Sequence, residues 1–298
     1  MVSVLISVYN QDPSSLVHDL LIQLEDSGSP FEIILGNDAS DSKFMPIFRG
    51  LEGLNGVIVF HADINLGRSK IRNTLASQAK YPYLLFIDGD AGIKSSDFVS
   101  SYLDKARADT VICGGTAYSD TAPENQDELL RWKYGVAREA RPAIRRVQKP
   151  YSSFSSFNFF IPAEVFDDIR FNEKILRYGH EDTIFGIELE NKNYPVIHID
   201  NQLIHKGLET AGLFLHKTRD SVEGLVELMN SYENPDDLIK KVRLLSKYRK
   251  LRKWGLSSLL TMINKSSGKR IRKNLTGPAP SLRLLDLYKL CILNDIQG

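Results

Sequence analysis

The chain has 298 residues, of which 42% are apolar and 25% charged, and its net charge is +1. This composition excludes a disordered or fibrous protein, and no run of about 18 apolar residues predicts a membrane span. The two cysteines, Cys113 and Cys291, cannot build a disulfide framework, so we expect a reducing, cytoplasmic compartment. Residues 1–8 lack the basic start of a signal peptide and are typical of a strand.

Positive charge is concentrated near the end of the chain. Between Leu238 and Leu285 the sequence has fourteen Lys or Arg residues and no Asp or Glu, so residues 1–237 are strongly acidic. Charge asymmetry of this kind predicts an anionic partner for the basic part.

Short β-rich runs alternate with amphipathic stretches over the first 115 residues. Continuous apolar runs of this length are typical of strands buried on both faces, and helical spacing lies between them, with Ser14, Ser69 and Ser95 as expected N-caps. The predicted strands are 2–8, 31–35, 56–60, 83–87 and 109–113, and the predicted helices are 14–26, 43–51, 69–80 and 95–105. This alternation predicts an α/β fold, a mostly parallel sheet with helices on both faces.

The pattern changes after residue 117. The elements predicted there are a helix at 124–138, a strand at 157–161, helices at 163–169 and 180–192, and a strand at 195–199. From about residue 212 the chain is helical in character. We therefore predict an α/β domain over residues 1–210 and a helical, basic region over residues 211–298.

Polar side chains follow each of the first four predicted strands. They include Tyr9 and Asn10 after the first strand, Asp38 after the second, Arg72 in the helix after the third and Asp88 after the fourth. In an open α/β sheet the ligand lies beyond the carboxyl ends of the strands. The four strand ends together therefore predict a ligand site at one edge of the sheet.

The Asp88-Gly89-Asp90 sequence is the sharpest single feature of this edge. Alternate side chains of an extended segment share a face, so both carboxylates can point at one Mg²⁺ or Mn²⁺ ion, which prefers oxygen ligands and substrate phosphates. The alternative is a plain turn, because Asp-Gly is a common turn dipeptide. The core-strand signal just before Asp88 favours the metal–phosphate site.

A second acidic cluster, Glu181 and Asp182, stands at the head of a predicted helix. The helix dipole favours carboxylates in a first turn, which explains one of them without any chemistry. The other could be a general base that faces a leaving group. His205 could be a further metal ligand, although a lone histidine is more often structural.

These features together resemble a known family. In chain order they are residues 2–10, the cluster 37–41, Asn65-Leu66-Gly67 with Arg72-Asn73, Asp88-Gly89-Asp90, the strand and turn 158–166, residues 178–182 and His205. This order is similar to that of family 2 glycosyltransferases and spans residues 1–207. The resemblance implies a GT-A fold (a Rossmann-like, mostly parallel sheet) and inverting transfer of a sugar from a nucleotide diphosphate donor, with Mn²⁺ or Mg²⁺.

The resemblance also implies which residues bind the donor. Tyr9 and Asn10 would lie along the nucleotide, and Asp38 would hydrogen-bond the base, usually uracil. Arg72 would help to hold the base or phosphate side of the pocket, and Asp88 would contact the ribose. The sequence departs from the family pattern at two positions, where Asn37 stands for a frequent Asp and Ala39 for a common Gly.

Further residues would carry the metal and the chemistry. The resemblance implies that Asp90 binds the metal that bridges the diphosphate, that Asp88 contributes to the same ion, and that His205 is its third ligand. Asp182 matches the general base of the family, and Glu181 lies beside it on the donor-binding side.

The resemblance also implies the acceptor, which is a hydroxyl of a glycan or of a lipid-linked sugar, as in cell-surface polysaccharide synthesis. The group transferred would be a hexosyl or N-acetylhexosaminyl group. One alternative is a nucleotide-sugar-binding protein without catalysis. Another is a sugar nucleotidyltransferase, but residues 10–13 do not form the Gly-rich basic loop that such an enzyme should have after its first strand.

In the basic segment 238–273, eight Lys or Arg residues crowd into residues 240–253, interleaved with apolar residues near helical spacing, and Trp254 follows directly. A basic amphipathic helix of this kind favours peripheral attachment to an anionic membrane surface. The alternative is a solvated face that packs on the acidic part of the protein itself. Nucleic acid is disfavoured, because the rest of the chain is acidic and has no nucleic-acid-binding motif.

Overall fold

The computed structural model describes residues 1–175, 177–232 and 234–298. They form two compact units, each assembled from separate stretches of chain. The first unit comprises Met1–Ser119, Glu139–Lys174 and Glu181–Gly207, and the second comprises Asp120–Arg138, Ile175–His180 and Leu208–Gly298. Residues 120–138 thus belong to the second unit, although they lie inside the predicted 1–210 domain.

The first unit is built on a twisted, mostly parallel sheet. Its strands are β1 (Val2–Val8), β2 (Phe31–Asn37), β3 (Val57–His61), β4 (Tyr83–Asp88), β5 (Ala91–Gly92), β6 (Val111–Cys113), β7 (Thr116–Ala117), β8 (Asn158–Pro162), β9 (Val196–His198) and β10 (Leu203–His205). Among the described residues, seven strands form one sheet in the order β3-β2-β1-β4-β8-β6-β9, in which only β8 runs antiparallel to its neighbours. The short strands β5, β10 and β7 form a second sheet that the sequence did not predict.

Helices cover the sheet and continue into the second unit. They are α1 (Ser14–Asp26), α2 (Met45–Glu52), α3 (Arg68–Gln78), α4 (Phe98–Leu103), α5 (Leu129–Tyr134), α6 (Ala143–Arg146), α7 (Ala163–Ile169), α8 (Glu181–Asn191), α9 (Ala211–Ser231), α10 (Pro235–Lys241), α11 (Arg243–Lys253), α12 (Ser257–Leu275) and α13 (Leu282–Gln297). The expected serine N-caps are wrong, because the structure has Pro13, Gly67 and Asp97 at the N-caps of α1, α3 and α4.

The two faces of the sheet carry separate hydrophobic cores. Val4 and Ile6 of β1 pack with Leu20 of α1 in one core, whereas Leu5 of the same strand packs with Phe86 in the other. Alternate residues of an extended strand point to opposite faces, so a strand buried on both sides is apolar throughout. This arrangement confirms the predicted α/β sheet with helices on both faces.

Strand register brings the polar strand ends together. Val8 of β1 lies opposite Asn37 of β2, which in turn lies opposite His61 of β3. On the other side of β1, Ser7 is level with Asp88 of β4. The carboxyl ends of these four strands therefore form one continuous edge, as the sequence predicted.

The second unit is helical around α9, α12 and α13. Helix α13 packs against both α9 and α12, and its Leu285 and Leu293 are buried, as are Leu225 of α9 and Leu260 and Ile271 of α12. Across the described ranges, none of the helices combines the length and the apolar character that crossing a membrane needs.

Candidate active site

Two arginines and two carboxylates form a cluster of ion pairs at the edge of the sheet. Arg68 and Arg72 lie one turn apart on α3, and Asp88 ends β4. The Asp88 carboxylate accepts hydrogen bonds from Arg68 Nη2 at 2.8 Å and from Arg72 Nη2 at 2.5 Å. Glu181, the first residue of α8, pairs through Oε1 with Arg68 Nε at 3.3 Å and Arg72 Nη1 at 3.8 Å.

This cluster keeps Asp88 ionised. Burial raises the pKa of the Asp88 carboxyl, but the charges of Arg72 and Arg68 outweigh burial and bring the pKa below its ordinary value. Arg72 is only 2% exposed and contacts both Asp88 and Glu181, whereas its contact with the donor stays a prediction. The structure thus brings three predicted residues together, and it adds Arg68, to which the sequence analysis gave no role.

Asp90 and His205 face each other beside this cluster. Strand β10 pairs with β5 so that His205 lies opposite Ala91, and His205 Nε2 is 3.5 Å from Asp90 Oδ2. The His205 ring is stacked between the rings of Tyr118 and Phe157, with centroids 5.3 Å and 5.4 Å away. These two rings, which the sequence analysis missed, orient the imidazole toward Asp90.

The pair fits a divalent cation that substrate oxygens complete. Asp90 Oδ1 is buried and has no hydrogen-bond partner among the described residues, and a buried polar atom of this kind calls for a ligand. No three His, Cys, Asp or Glu side chains in the described ranges are grouped to hold an ion by themselves; the predicted third member, Asp88, is paired with Arg68 and Arg72 instead. Cations of the Mg²⁺ type are often held by one or two carboxylates together with substrate phosphates.

Asp182 has the properties of a general base. Burial raises the pKa of its carboxyl, and the neighbouring charge of Glu181 raises it further, to about 6, although Arg72 and a hydrogen bond from the Ser156 side chain act in the opposite direction. Its Oδ1 is buried without a hydrogen-bond partner among the described residues. One oxygen of a buried carboxylate is therefore available to accept a proton.

The ends of β1 and β2 form the other side of the edge. Asn10 accepts a hydrogen bond from the Asp41 backbone N–H at 2.8 Å, and Asp38 accepts bonds from the N–H groups of Leu66 at 2.6 Å and Gly67 at 3.1 Å. Asp38 therefore fixes the turn that leads into α3 and its arginines. Tyr9 is 53% exposed. The base-contacting role of Asp38 and the nucleotide contacts of Tyr9 and Asn10 stay predictions.

Comparison with known proteins adds a family match and two structural likenesses. The model of the family described as glycosyl transferase family 2 matches residues 3–170. The mannosyltransferase PcManGT from Pyrobaculum calidifontis, in complex with GDP-Man and Mn²⁺, superimposes with a TM-score of 0.59 and 13% identity, over 100% of this chain and 87% of its own. TarS from S. aureus gives a TM-score of 0.51 and 17% identity, over 86% of this chain and 45% of TarS. Among curated proteins, no sequence matches this chain.

Proposed function

The chain belongs to glycosyl transferase family 2, and on this premise we propose that it is an inverting glycosyltransferase that uses a nucleoside diphosphate sugar and a divalent cation. The acceptor is a hydroxyl of a glycan or of a lipid-linked sugar, in cell-surface polysaccharide synthesis. The observation that carries the proposal is the half-buried Asp182, whose buried Oδ1 has no hydrogen-bond partner among the described residues and whose pKa is about 6, beside a cluster of cationic side chains.

Donor binding is assigned to the edge formed by β1, β2 and β4. Asp90 and His205 would hold a Mn²⁺ or Mg²⁺ ion, and when bound this ion supplies positive charge to the diphosphate leaving group. Arg68 is 42% exposed along its side chain and adds further positive charge at the same place. Asp88, held by Arg68 and Arg72, would receive the ribose hydroxyls.

The nucleotide base is proposed to be uracil, with guanine as its competitor. Asp38 is the proposed base contact, and its pKa is raised because burial outweighs the hydrogen bonds from Leu66 and Gly67. A related structure, PcManGT, is in complex with GDP-Man and Mn²⁺. The donor test therefore includes sugars of both nucleotides.

Asp182 takes the proton from the acceptor hydroxyl as that oxygen attacks the anomeric carbon. The bond from this carbon to the diphosphate oxygen breaks on the opposite side, and so the anomeric configuration is inverted. General-base assistance contributes about 10²–10⁴ in rate. Burial of Oδ1 and the charge of Glu181 keep the pKa of Asp182 high enough to hold the proton.

The test is incubation of the protein with UDP- and GDP-sugars and Mn²⁺, followed by measurement of nucleotide release with and without candidate glycan acceptors. We expect one donor to be turned over and its product to have the opposite anomeric configuration by NMR. Asp182→Asn is the matched control, because it keeps the shape of the side chain; it should bind the donor normally and lose turnover. Donor binding without turnover in the wild type, or retention of configuration, would contradict the proposal.

A further inference from the structure

The basic side chains on the helices of the second unit are exposed to solvent. Of the fourteen Lys and Arg residues between Leu238 and Leu285, all but Lys241 are exposed. Two of them pair with carboxylates of α10, Lys241 with Asp237 at 3.1 Å and Arg249 with Asp236 at 2.8 Å. Most of this positive charge therefore faces solvent and is available to an external partner.

Apolar side chains stand exposed at the turn between α11 and α12. Trp254, directly after α11, is 70% exposed, and Leu259 and Met262 in the first turns of α12 are 42% and 59% exposed. Leu259 and Met262 are three residues apart and so share one face of the helix. We call these three side chains the apolar tip.

The internal packing of the helices does not use the apolar tip. Helix α11 buries Leu245 and Tyr248, and α12 buries Leu260, Ile271 and Leu275. The apolar tip is flanked by exposed basic residues on both helices, which are Lys250, Arg252 and Lys253 before it and Lys265 and Lys269 after it. Exposed Trp, Leu and Met at the centre of a basic surface indicate a binding surface rather than a core.

The combination of positive charge and exposed apolar side chains on this surface matches an anionic lipid bilayer. Lys and Arg are attracted to anionic headgroups, whereas Trp favours the interface between headgroups and acyl chains. A nucleic acid would satisfy the charges, but its phosphates offer no apolar environment for Leu259 and Met262. We propose that this protein attaches peripherally to anionic membranes, with the apolar tip inserted and the basic side chains around it on the headgroups.

The test is sedimentation of the full chain with vesicles of phosphatidylcholine that contain increasing fractions of phosphatidylglycerol. Binding should rise with the anionic fraction and fall with salt. Replacement of Lys250, Arg252 and Lys253 by Gln should lower the partition coefficient roughly 100-fold. The matched control replaces Arg49, Lys105 and Arg107 of the first unit, which are also exposed, by Gln; it changes the net charge equally and should leave binding within about 3-fold of the wild type, since none of these residues belongs to α11 or α12.

A second variant and a reporter address the apolar tip. Trp254→Ser combined with Met262→Ser should weaken binding at every lipid composition, and both side chains are exposed enough to be replaced without loss of the fold. The chain has two tryptophans, so in a Trp132→Phe background Trp254 reports alone; its emission should shift to the blue and be quenched by brominated lipids. Equal loss of binding in the two triple variants, an unshifted Trp254, or binding to RNA but not to vesicles would each overturn the proposal.

Discussion

The pKa of Asp182 is raised, as suits a general base. Its pKa of about 6 lies above the ordinary value of 3.8, because burial and the charge of Glu181 both oppose ionisation. The carboxylate form is the active base. The rate should therefore be constant above about pH 6 and fall about tenfold for each pH unit below it, as protons occupy the carboxyl.

Ser156 offers a direct test of this assignment. Its hydroxyl donates to the Asp182 carboxylate and favours the ionised form. Ser156→Ala should therefore raise the pKa of Asp182 and move the acid limb of the kcat/KM profile to higher pH, while the rate on the plateau changes little. A limb that stays in place in the variant would show that a different group titrates.

Asp90 should be dispensable for folding and indispensable for transfer. Since its buried Oδ1 has no hydrogen-bond partner among the described residues, Asp90→Ala removes little stabilising interaction, and we expect a Tm close to that of the wild type. Transfer should fall about 10²–10³-fold, the usual effect of removing one electrostatic contributor. Thermal unfolding and a Mn²⁺ titration of the rate measure the two effects. Near-normal turnover with an unchanged Mn²⁺ dependence would contradict the metal assignment.

The turn after β2 contains a residue whose backbone is strained. Ala39 has a φ of +56°, a left-handed conformation that costs a residue with a Cβ about 1–2 kcal/mol. A glycine would adopt this conformation without the strain. Ala39→Gly should raise the free energy of unfolding by about 0.5–1 kcal/mol, since the lost strain exceeds the added flexibility of the unfolded chain. Urea denaturation measures it, and a loss of stability would refute the strain.

At the scale of elements, Arg146 of α6 ties the ends of two strands together. It donates to the carbonyls of Cys113 at the end of β6, Gly114, Ile199 after β9 and Arg141, and to His198 Nδ1 at 2.8 Å. Each of its five N–H donors thus has an acceptor. Burial lowers the pKa of His198 to about 4 and Arg146 lowers it too, so the imidazole is neutral and accepts this bond.

Loss of this arginine should be costly. Arg146→Ala leaves several buried carbonyls without donors and should lower the free energy of unfolding by about 3 kcal/mol or more. Arg146→Lys should recover only part of it, because a lysine has three donors. The exposed neighbour Arg145 provides the control, and Arg145→Ala should unfold like the wild type. Equal stability of the two alanine variants would show that Arg146 is not a structural anchor.

The sequence predicted the elements whose signal is local. The apolar run from Tyr83 to Ile87 predicted β4, because a strand buried on both faces is apolar throughout, and polar strand ends predicted the shared edge of the sheet. The second sheet was missed because β5, β7 and β10 are two or three residues long and pair across distant segments. Arg146 was missed because its partners are mostly backbone carbonyls, which no residue pattern reveals.

The candidate site, too, contains residues that a local sequence signal predicted and residues that it did not. Asp88, Asp90 and Asp182 were predicted because their residue types and positions fit the proposed chemistry, and their roles stay predictions. Arg68 was given no role, although its spacing of four from Arg72 already places both on one face of α3. Ser156 lacked any signal, since its importance comes only from its contact with Asp182.

At the scale of the whole molecule, the second unit is assembled from three stretches of chain, which begin at residues 120, 175 and 208. The earlier stretches bind partners that follow much later, since Arg131 pairs with Glu209 at 4.0 Å and Arg177 with Asp220 at 2.8 Å and Glu223 at 2.9 Å. During synthesis on a ribosome, the two earlier stretches cannot form these ion pairs until α9 has left the exit tunnel.

The residues just before Asp182 therefore gain their partners only late in translation. A nascent chain arrested before α9 has left the exit tunnel should remain open to protease within residues 120–138 and 175–180, while β1 to β4 are already protected. Released full-length protein should resist cleavage at the same positions. The residues that lead directly into α8 would then become ordered only after α9 has been synthesised.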